Sequence, residues 1–329
     1  MTTFQAYRIT REDDTINAEI EELTTEDLPE SDVLIRVRYS SVNFKDGMVS
    51  QPNNSLVKEY PIVPGIDLAG EVVESKDSRF QSGDQVIATS YEIGVNHFGG
   101  YSEYANIPAD WIVPLPENLT LEESMLYGTA GFTAALSIHR LELNGLSPEK
   151  GPVLVTGATG GVGSMAIAML TKRGYQVEAS TGSKEQSNYL EGIGADRILS
   201  REDVYNGTIK PLASSRWAAA IDPVGGEPLA SILSQLKYNG AAALSGLTAG
   251  TKVPAQVYPF ILRGISLIGI DSVNCPMEIR KAIWERLAAD LKPEHALDQM
   301  KSIISLKDLP HTLQKILNGN TQGRIIVKL

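Results

Sequence analysis

Cysteine is nearly absent from the 329 residues, with Cys275 alone. This excludes an intramolecular disulfide and a structural zinc site built on thiolates, which uses up to about four of them. Cys275 precedes Pro276, and the sequence offers it no partner for nucleophilic work, so a structural role is expected. Positive charge is also short: 29 Lys and Arg stand against 40 Asp and Glu, a formal net charge of −11, and no basic run occurs. That excludes a nucleic-acid binder, which must neutralise phosphates with clustered cations. No segment approaches the roughly 18 uninterrupted apolar residues of a membrane span. Met1 to Tyr7 carries no charged and apolar signal pattern, so a cytoplasmic protein with no membrane partner is expected. Histidines are few, His97, His139, His295 and His311, and they lack metal-ligand spacing.

What remains is an ordinary globular chain, 42% hydrophobic and long enough for about two domains. The first stretch carries short β-type runs punctuated by Gly, Pro, Asn and Asp: Val33 to Tyr39, Gly70 to Val73, Gln85 to Ala88 and Trp111 to Pro114. That texture predicts an antiparallel, barrel-like domain over 1–122. From Leu121 the pattern turns helical, to Leu143, with Gly128 and Gly131 interrupting it. Strands then alternate with helices: Val153 to Thr156, Gln176 to Ser180, Arg197 to Leu199, Ala218 to Ile221, Ala241 to Leu244 and Ser266 to Ile270. Six strands in such alternation predict an α/β domain over 123–293, a Rossmann-type doubly wound parallel six-stranded sheet. The stretch from about 294 to 329 ends in a strand, Gly323 to Leu329, expected to pair back and complete the first domain.

The strongest motif runs from Val153 to Ala166, where a strand passes into Gly157, Gly160, Gly161 and Gly163 and then a helix. Glycines let the backbone turn, approach a pyrophosphate, and pack the helix on the strand. The spacing differs from strict G-x-G-x-x-G, but the motif opens a complete βαβ unit, as a dinucleotide fingerprint must. An NAD enzyme usually ends the second strand in a carboxylate that binds the ribose. Here it ends in Ser180-Thr181-Gly182-Ser183-Lys184, which suits a 2′-phosphate and hence NADPH, with Arg201 beyond the third strand as a second candidate. Glu178, two residues earlier, is expected to face away from the ribose; the alternative for Lys184 is an exposed charge at a helix start.

Five motifs, Gly65 to Gly70, Gly99 to Tyr104, Gly128 to Ala134, Gly160 to Gly163 and Ala220 to Gly226, resemble the medium-chain dehydrogenase/reductases of the quinone oxidoreductase branch over essentially the whole chain. More narrowly, Ser41 to Asp46, Pro259 to Arg263 and Gly269 to Val273 resemble the acrylyl-CoA reductase subgroup. The resemblance implies a GroES-like catalytic domain built from both chain ends, a Rossmann domain between them, NADPH as reductant and a homodimer. It implies cofactor contacts from Phe44, Gly160, Gly161, Val162, Gly163, Thr181, Gly182, Ser183, Arg201, Leu247, Ile261, Ser272 and Asn318. Two departures stand out: Phe44 replaces a common Tyr, and Ser183 stands where a relative has a basic residue, with Lys184 one place later.

Zinc-dependent relatives hold their metal where this chain has Asn43 and Ile66, side chains that do not ligate Zn²⁺, so no metal is expected. The reaction must then be one the cofactor drives itself, hydride addition to an acceptor activated by conjugation. A short 2-enoyl-CoA such as acrylyl-CoA satisfies this, and so does a quinone; an NADPH-binding structural or sensing protein with little catalysis is the alternative of another class. For the thioester, Asn43 is a candidate donor to the developing oxyanion, or it fixes a turn. Asp46 orients its neighbours or relays a proton, or it caps a helix.

Overall fold

The computed structural model describes residues 2–13 and 15–329, apart from the side chain of Lys184. In chain order, β1 (Thr3–Glu12), β2 (Thr15–Thr24), β3 (Val33–Ser41), α1 (Phe44–Val49), β4 (Asp67–Ser75), β5 (Gln85–Thr89), β6 (Tyr104–Ile107) and β7 (Ile112–Pro114) precede the long helix α2 (Leu121–Leu143). There follow β8 (Val153–Val155), α3 (Gly161–Lys172), β9 (Val177–Ser180), α4 (Ser187–Gly192), β10 (Arg197–Leu199), α5 (Arg201–Val204), β11 (Trp217–Asp222) and α6 (Gly226–Gln235). The chain continues through β12 (Leu236–Leu244), α7 (Tyr258–Arg263), β13 (Ser266–Gly269), α8 (Met277–Ala288), α9 (Glu294–Met300), β14 (Lys301–Ile304), α10 (Leu309–Leu317) and β15 (Arg324–Lys328).

Two compact units result: Met1–Thr129 with Val273–Ala282 and Lys301–Leu329, and Ala130–Ser272 with Ile283–Met300. In the first, a seven-stranded sheet runs β14-β15-β3-β4-β5-β7, with β6 also on β3. Strand β3 serves two partners by bending: Val33 to Arg36 pair with β6, Tyr39 to Ser41 with β15, and its register on β4 shifts between Val37 and Tyr39. Such a bulge curls a sheet toward a barrel. The terminal strand thus pairs back onto β3, as the sequence leads one to expect. The hairpin β1–β2 was not foreseen; β1 buries Phe4, Ala6, Tyr7 and Ile9 in a core with Ile62, Val63, Tyr101 and Leu309, while β2 is mostly exposed.

The second unit is built on a six-stranded sheet in the order β10-β9-β8-β11-β12-β13, with parallel pairings throughout. Every residue of β8 and β11 is buried, the mark of strands covered on both faces. Strand β12 starts at Leu236, earlier than its apolar run Ala241 to Leu244 suggests. It first pairs with Trp217, then shifts register around Asn239 (φ 56°) before meeting Ala219 with Ala241.

Candidate functional site

The glycine loop stands at the carboxyl end of β8, where open parallel sheets bind their ligands. Gly160 caps α3, and the bond from Ser164 N to Gly160 O (2.9 Å) leaves the amides of Gly161 and Val162 ahead of it for an anion. Gly163 meets a different demand: a Cβ there would strike Gly157 O and Ala158 Cα, so only glycine lets α3 pack on the loop. Met165 to Leu170 then bury the helix against the sheet.

At the end of β9, Thr181 N donates to Leu199 O (3.0 Å) and Ser183 N to Thr181 Oγ1 (3.1 Å). The Arg201 guanidinium lies over Gly182, where a Cβ would come within 2.6 Å of its Cζ. Thr181, Gly182, Ser183 and Arg201 are therefore gathered at one place, while the Lys184 side chain lies outside the described residues. Glu178 is buried and turned elsewhere: it accepts from Trp217 Nε1 (2.8 Å) and faces Arg197 and Arg216 at 3.7 and 3.9 Å. Leu247 and Ile261 are 63% and 71% exposed, free to meet a ligand, and Ser272 is buried. These fit a dinucleotide: amides for the diphosphate, a guanidinium and hydroxyls for a 2′-phosphate.

The first unit carries Asn43, Phe44, Asp46 and Asn318. Helix α1 packs on α10, with Gly47 against Leu317, so exposed Phe44 and Asn318 belong to neighbouring elements. Asn43 lies in a buried polar cluster. Its Nδ2 donates to Asp67 Oδ2 (2.8 Å) and its Oδ1 accepts from Arg324 Nη1 (3.1 Å); the next Nδ2 neighbour is Ser41 Oγ, at 3.4 Å. Fully buried Asp67 also accepts from Ser41 Oγ (2.6 Å), Thr129 N (2.8 Å) and Thr129 Oγ1 (2.5 Å). Arg324 places Nη2 4.0 Å from Asp67 Oδ2 and donates to Ser41 Oγ (2.8 Å), Leu126 O (3.0 Å) and Val42 O (3.1 Å). Gly128 breaks α2 with φ 48° and has no side chain because one would fall 2.5 Å from Asp67 Oδ2 and 2.7 Å from Arg324 Nη2.

Asp46 sits under this cluster, accepting from Asn43 N (2.8 Å) and Ile66 N (3.0 Å). The first bond is the helix-capping contact weighed from sequence. Burial, and next the charge of Asp67, push its carboxyl up to about 7. Burial likewise holds the Tyr101 hydroxyl well above its ordinary value, with Asp46 reinforcing it, and lowers Arg324. Sequence reasoning missed Asp67, Arg324, Ser41, Thr129 and Tyr101; the available signal was one opposite charge in each of two apolar strands, Asp67 before Leu68-Ala69 and Arg324 before Ile325-Ile326-Val327.

A zinc ion does not fit these side chains. Ile66 is a buried hydrocarbon, Asn43 is held between Asp67 and Arg324, and the guanidinium supplies the positive charge beside Asp67. Among the described residues no group of three or more His, Cys, Asp or Glu is placed to hold a metal. His97 is held by Asn106 O (2.6 Å) and stands edge-on to Trp111, and burial lowers its pKa. No helix of the described residues is long and apolar enough to cross a membrane.

Two family models match, the alcohol dehydrogenase GroES-like domain over residues 29–117 and the zinc-binding dehydrogenase over 161–289. With that fold and that dinucleotide loop, the chain belongs to the medium-chain dehydrogenase/reductase superfamily of oxidoreductases. Within it, relatives of the chain are named acrylyl-CoA reductase and quinone oxidoreductase. It is 48% identical to acrylyl-CoA reductase AcuI of Ruegeria pomeroyi, over 94% of each chain. It is 58% identical to YhfP of Bacillus subtilis, provisionally named a quinone oxidoreductase, over 100% of this chain and 99% of the relative. The solved structure of YhfP with NAD bound matches with a TM-score of 0.98 over 100% of both chains. YhdH of Salmonella enterica in complex with NADP matches with a TM-score of 0.95 at 42% identity, over 99% of both chains.

Proposed function

We propose that the protein uses NADPH to reduce an activated carbon–carbon double bond, with a short 2-enoyl-CoA such as acrylyl-CoA, giving propanoyl-CoA, as acceptor. The observation that carries this reading is the Asp67–Arg324 closure: where zinc-dependent relatives polarise an oxygen on a metal, this chain has a guanidinium and an amide, so the acceptor must be electrophilic by conjugation. NADPH supplies the hydride equivalent when bound. The Gly160 to Gly163 amides take its diphosphate and Thr181, Ser183 and Arg201 its 2′-phosphate; Phe44, Gly182, Leu247, Ile261, Ser272 and Asn318 complete the set the family implies.

Asn43 is assigned the donor's part toward the oxyanion. Its second Nδ2 hydrogen makes a long bond, to Ser41 Oγ at 3.4 Å, the weaker of its two and the one a substrate oxygen would displace. Asp46 orients that amide through the Asn43 main chain. Stopped-flow loss of NADPH absorbance with acrylyl-CoA, crotonyl-CoA and benzoquinones tests the reading. Slow turnover of every CoA ester beside fast turnover of quinones would reject it in favour of a quinone reductase, the second reading, which the provisional name of YhfP favours.

A second copy of the chain is the expected partner. Among the described residues strand β13 pairs with β12 alone in the sheet order, and Leu267 on it is exposed, as are Val257, Tyr258 and Leu262 in the segment that leads into it. An unpaired apolar edge suits edge-to-edge pairing between copies. Sedimentation equilibrium giving a monomer at micromolar concentration would reject the dimer.

A further inference from the structure

Asp222 carries no charge-bearing role in the reading above, yet it is fully buried at the carboxyl end of β11 and is saturated with bonds. Its Oδ1 accepts from Thr156 Oγ1, the residue that opens the glycine loop, and from Val224 N (3.2 Å); its Oδ2 accepts from Gly225 N (2.9 Å). Its carbonyl accepts from Ser245 N (3.0 Å), and Ala249 N donates to Val224 O (2.9 Å). The loops following β8, β11 and β12 are thereby laced together. They are also in close contact: a Cβ on Gly157 would meet Pro223 at 3.2 Å, and one on Gly225 would meet Gly246 O at 2.8 Å.

We propose that Asp222 is a positioning residue for the dinucleotide, its carboxylate tying the loop after β8 to the loop after β11, which main-chain bonds join to the loop after β12, so that the phosphate-binding amides hold a fixed height. The proposal rests on NADPH binding, not on the identity of the acceptor. An ionised carboxylate accepts from all three donors; an asparagine cannot, because whichever way its amide is turned one N–H faces another N–H, of Val224 or of Gly225.

Asp222→Asn and Thr156→Val, with Thr156→Ser as the variant that keeps the hydroxyl, test this in the full-length protein. NADPH titration by calorimetry and steady-state kinetics are read together with melting temperature. Asp222→Asn and Thr156→Val are expected to raise the NADPH Kd and KM by about tenfold or more, a size in keeping with small misplacements of a binding loop. The KM for acrylyl-CoA should stay unchanged and Thr156→Ser should match the wild type. Variants that melt lower yet keep wild-type NADPH Kd and KM would overturn the proposal and leave Asp222 a stabilising residue only. Thr156→Val keeps the comparison decisive should Asp222→Asn fail to fold. A wild type that binds NADPH but ignores acrylyl-CoA sinks the acceptor assignment alone, since the Kd comparison is made without acceptor.

Discussion

Arg324→Met removes the one cation of a buried cluster that holds Asp46 and Asp67, and its cost follows from the contacts. Four hydrogen bonds disappear, to Leu126 O, Val42 O, Asn43 Oδ1 and Ser41 Oγ, along with the 4.0 Å approach to Asp67. Buried acceptors left unsatisfied cost about 1–3 kcal/mol each, and such terms overlap within one network. Breaking a buried ion pair from one side costs about 3–5 kcal/mol, because the remaining charge stays buried without compensation. The expected loss at pH 7 is in that range. Arg324→Lys keeps the charge but not the fork of donors, so it should fall between wild type and Met. Urea unfolding followed by Trp111 fluorescence, in a background where Trp217 and Trp284 are phenylalanine, reports on the first unit alone, because Trp111 is its only tryptophan. A loss below about 1 kcal/mol at pH 7 would refute the view that Arg324 compensates Asp67.

Asp46→Asn addresses the other carboxyl. A folded pKa pushed up to about 7 means the native state holds this proton more tightly than the unfolded chain, so its stabilising effect is full below the unfolded value near 3.8 and lost as pH rises through 7. The variant should therefore be more stable relative to wild type at pH 8 than at pH 5, and parallel stability–pH curves would contradict the assignment. For Asn43→Ala, kcat and kcat/KM should fall together by about ten- to a thousand-fold with little change in NADPH affinity; unchanged single-turnover hydride transfer with a lower melting temperature would make the amide a turn-holder only. Arg201→Ala should bring the NADPH Kd to within about threefold of the NADH value, from a wild-type preference of at least about tenfold, and equal wild-type affinities would remove the 2′-phosphate role.

The parallel sheet was legible because strands buried on both faces write themselves as apolar runs, as in Val153-Leu154-Val155 and Trp217-Ala218-Ala219-Ala220-Ile221. The hairpin β1–β2 was not: Ile16, Ala18 and Ile20 do alternate with Asn17, Glu19 and Glu21, but in an acidic segment that buries only Leu23, where the strand signal is weak. Asn43 and Asp46 stood out through motif resemblance, but their partners could not, since Asp67 and Arg324 come from distant parts of the chain and only the fold brings them together. Glu178 could be set aside on spacing, yet its reason, a bond to Trp217, is tertiary.

The return of β15 to β3 has a temporal side. A ribosome delivers Asp46 and Asp67 before the 130–272 block and Arg324 after it, so while that block is being made the first unit lacks both β14 and β15 of its sheet and the counterion of its buried carboxylates. Residues Ala130–Ser272 emerge as one uninterrupted block and so are free to organise meanwhile. Residues 1–129 must then wait, protease-sensitive, for the segment Lys301–Leu329. Limited proteolysis of ribosome-stalled chains should show the 130–272 block protected before residues 1–129, and simultaneous protection would rule out that order.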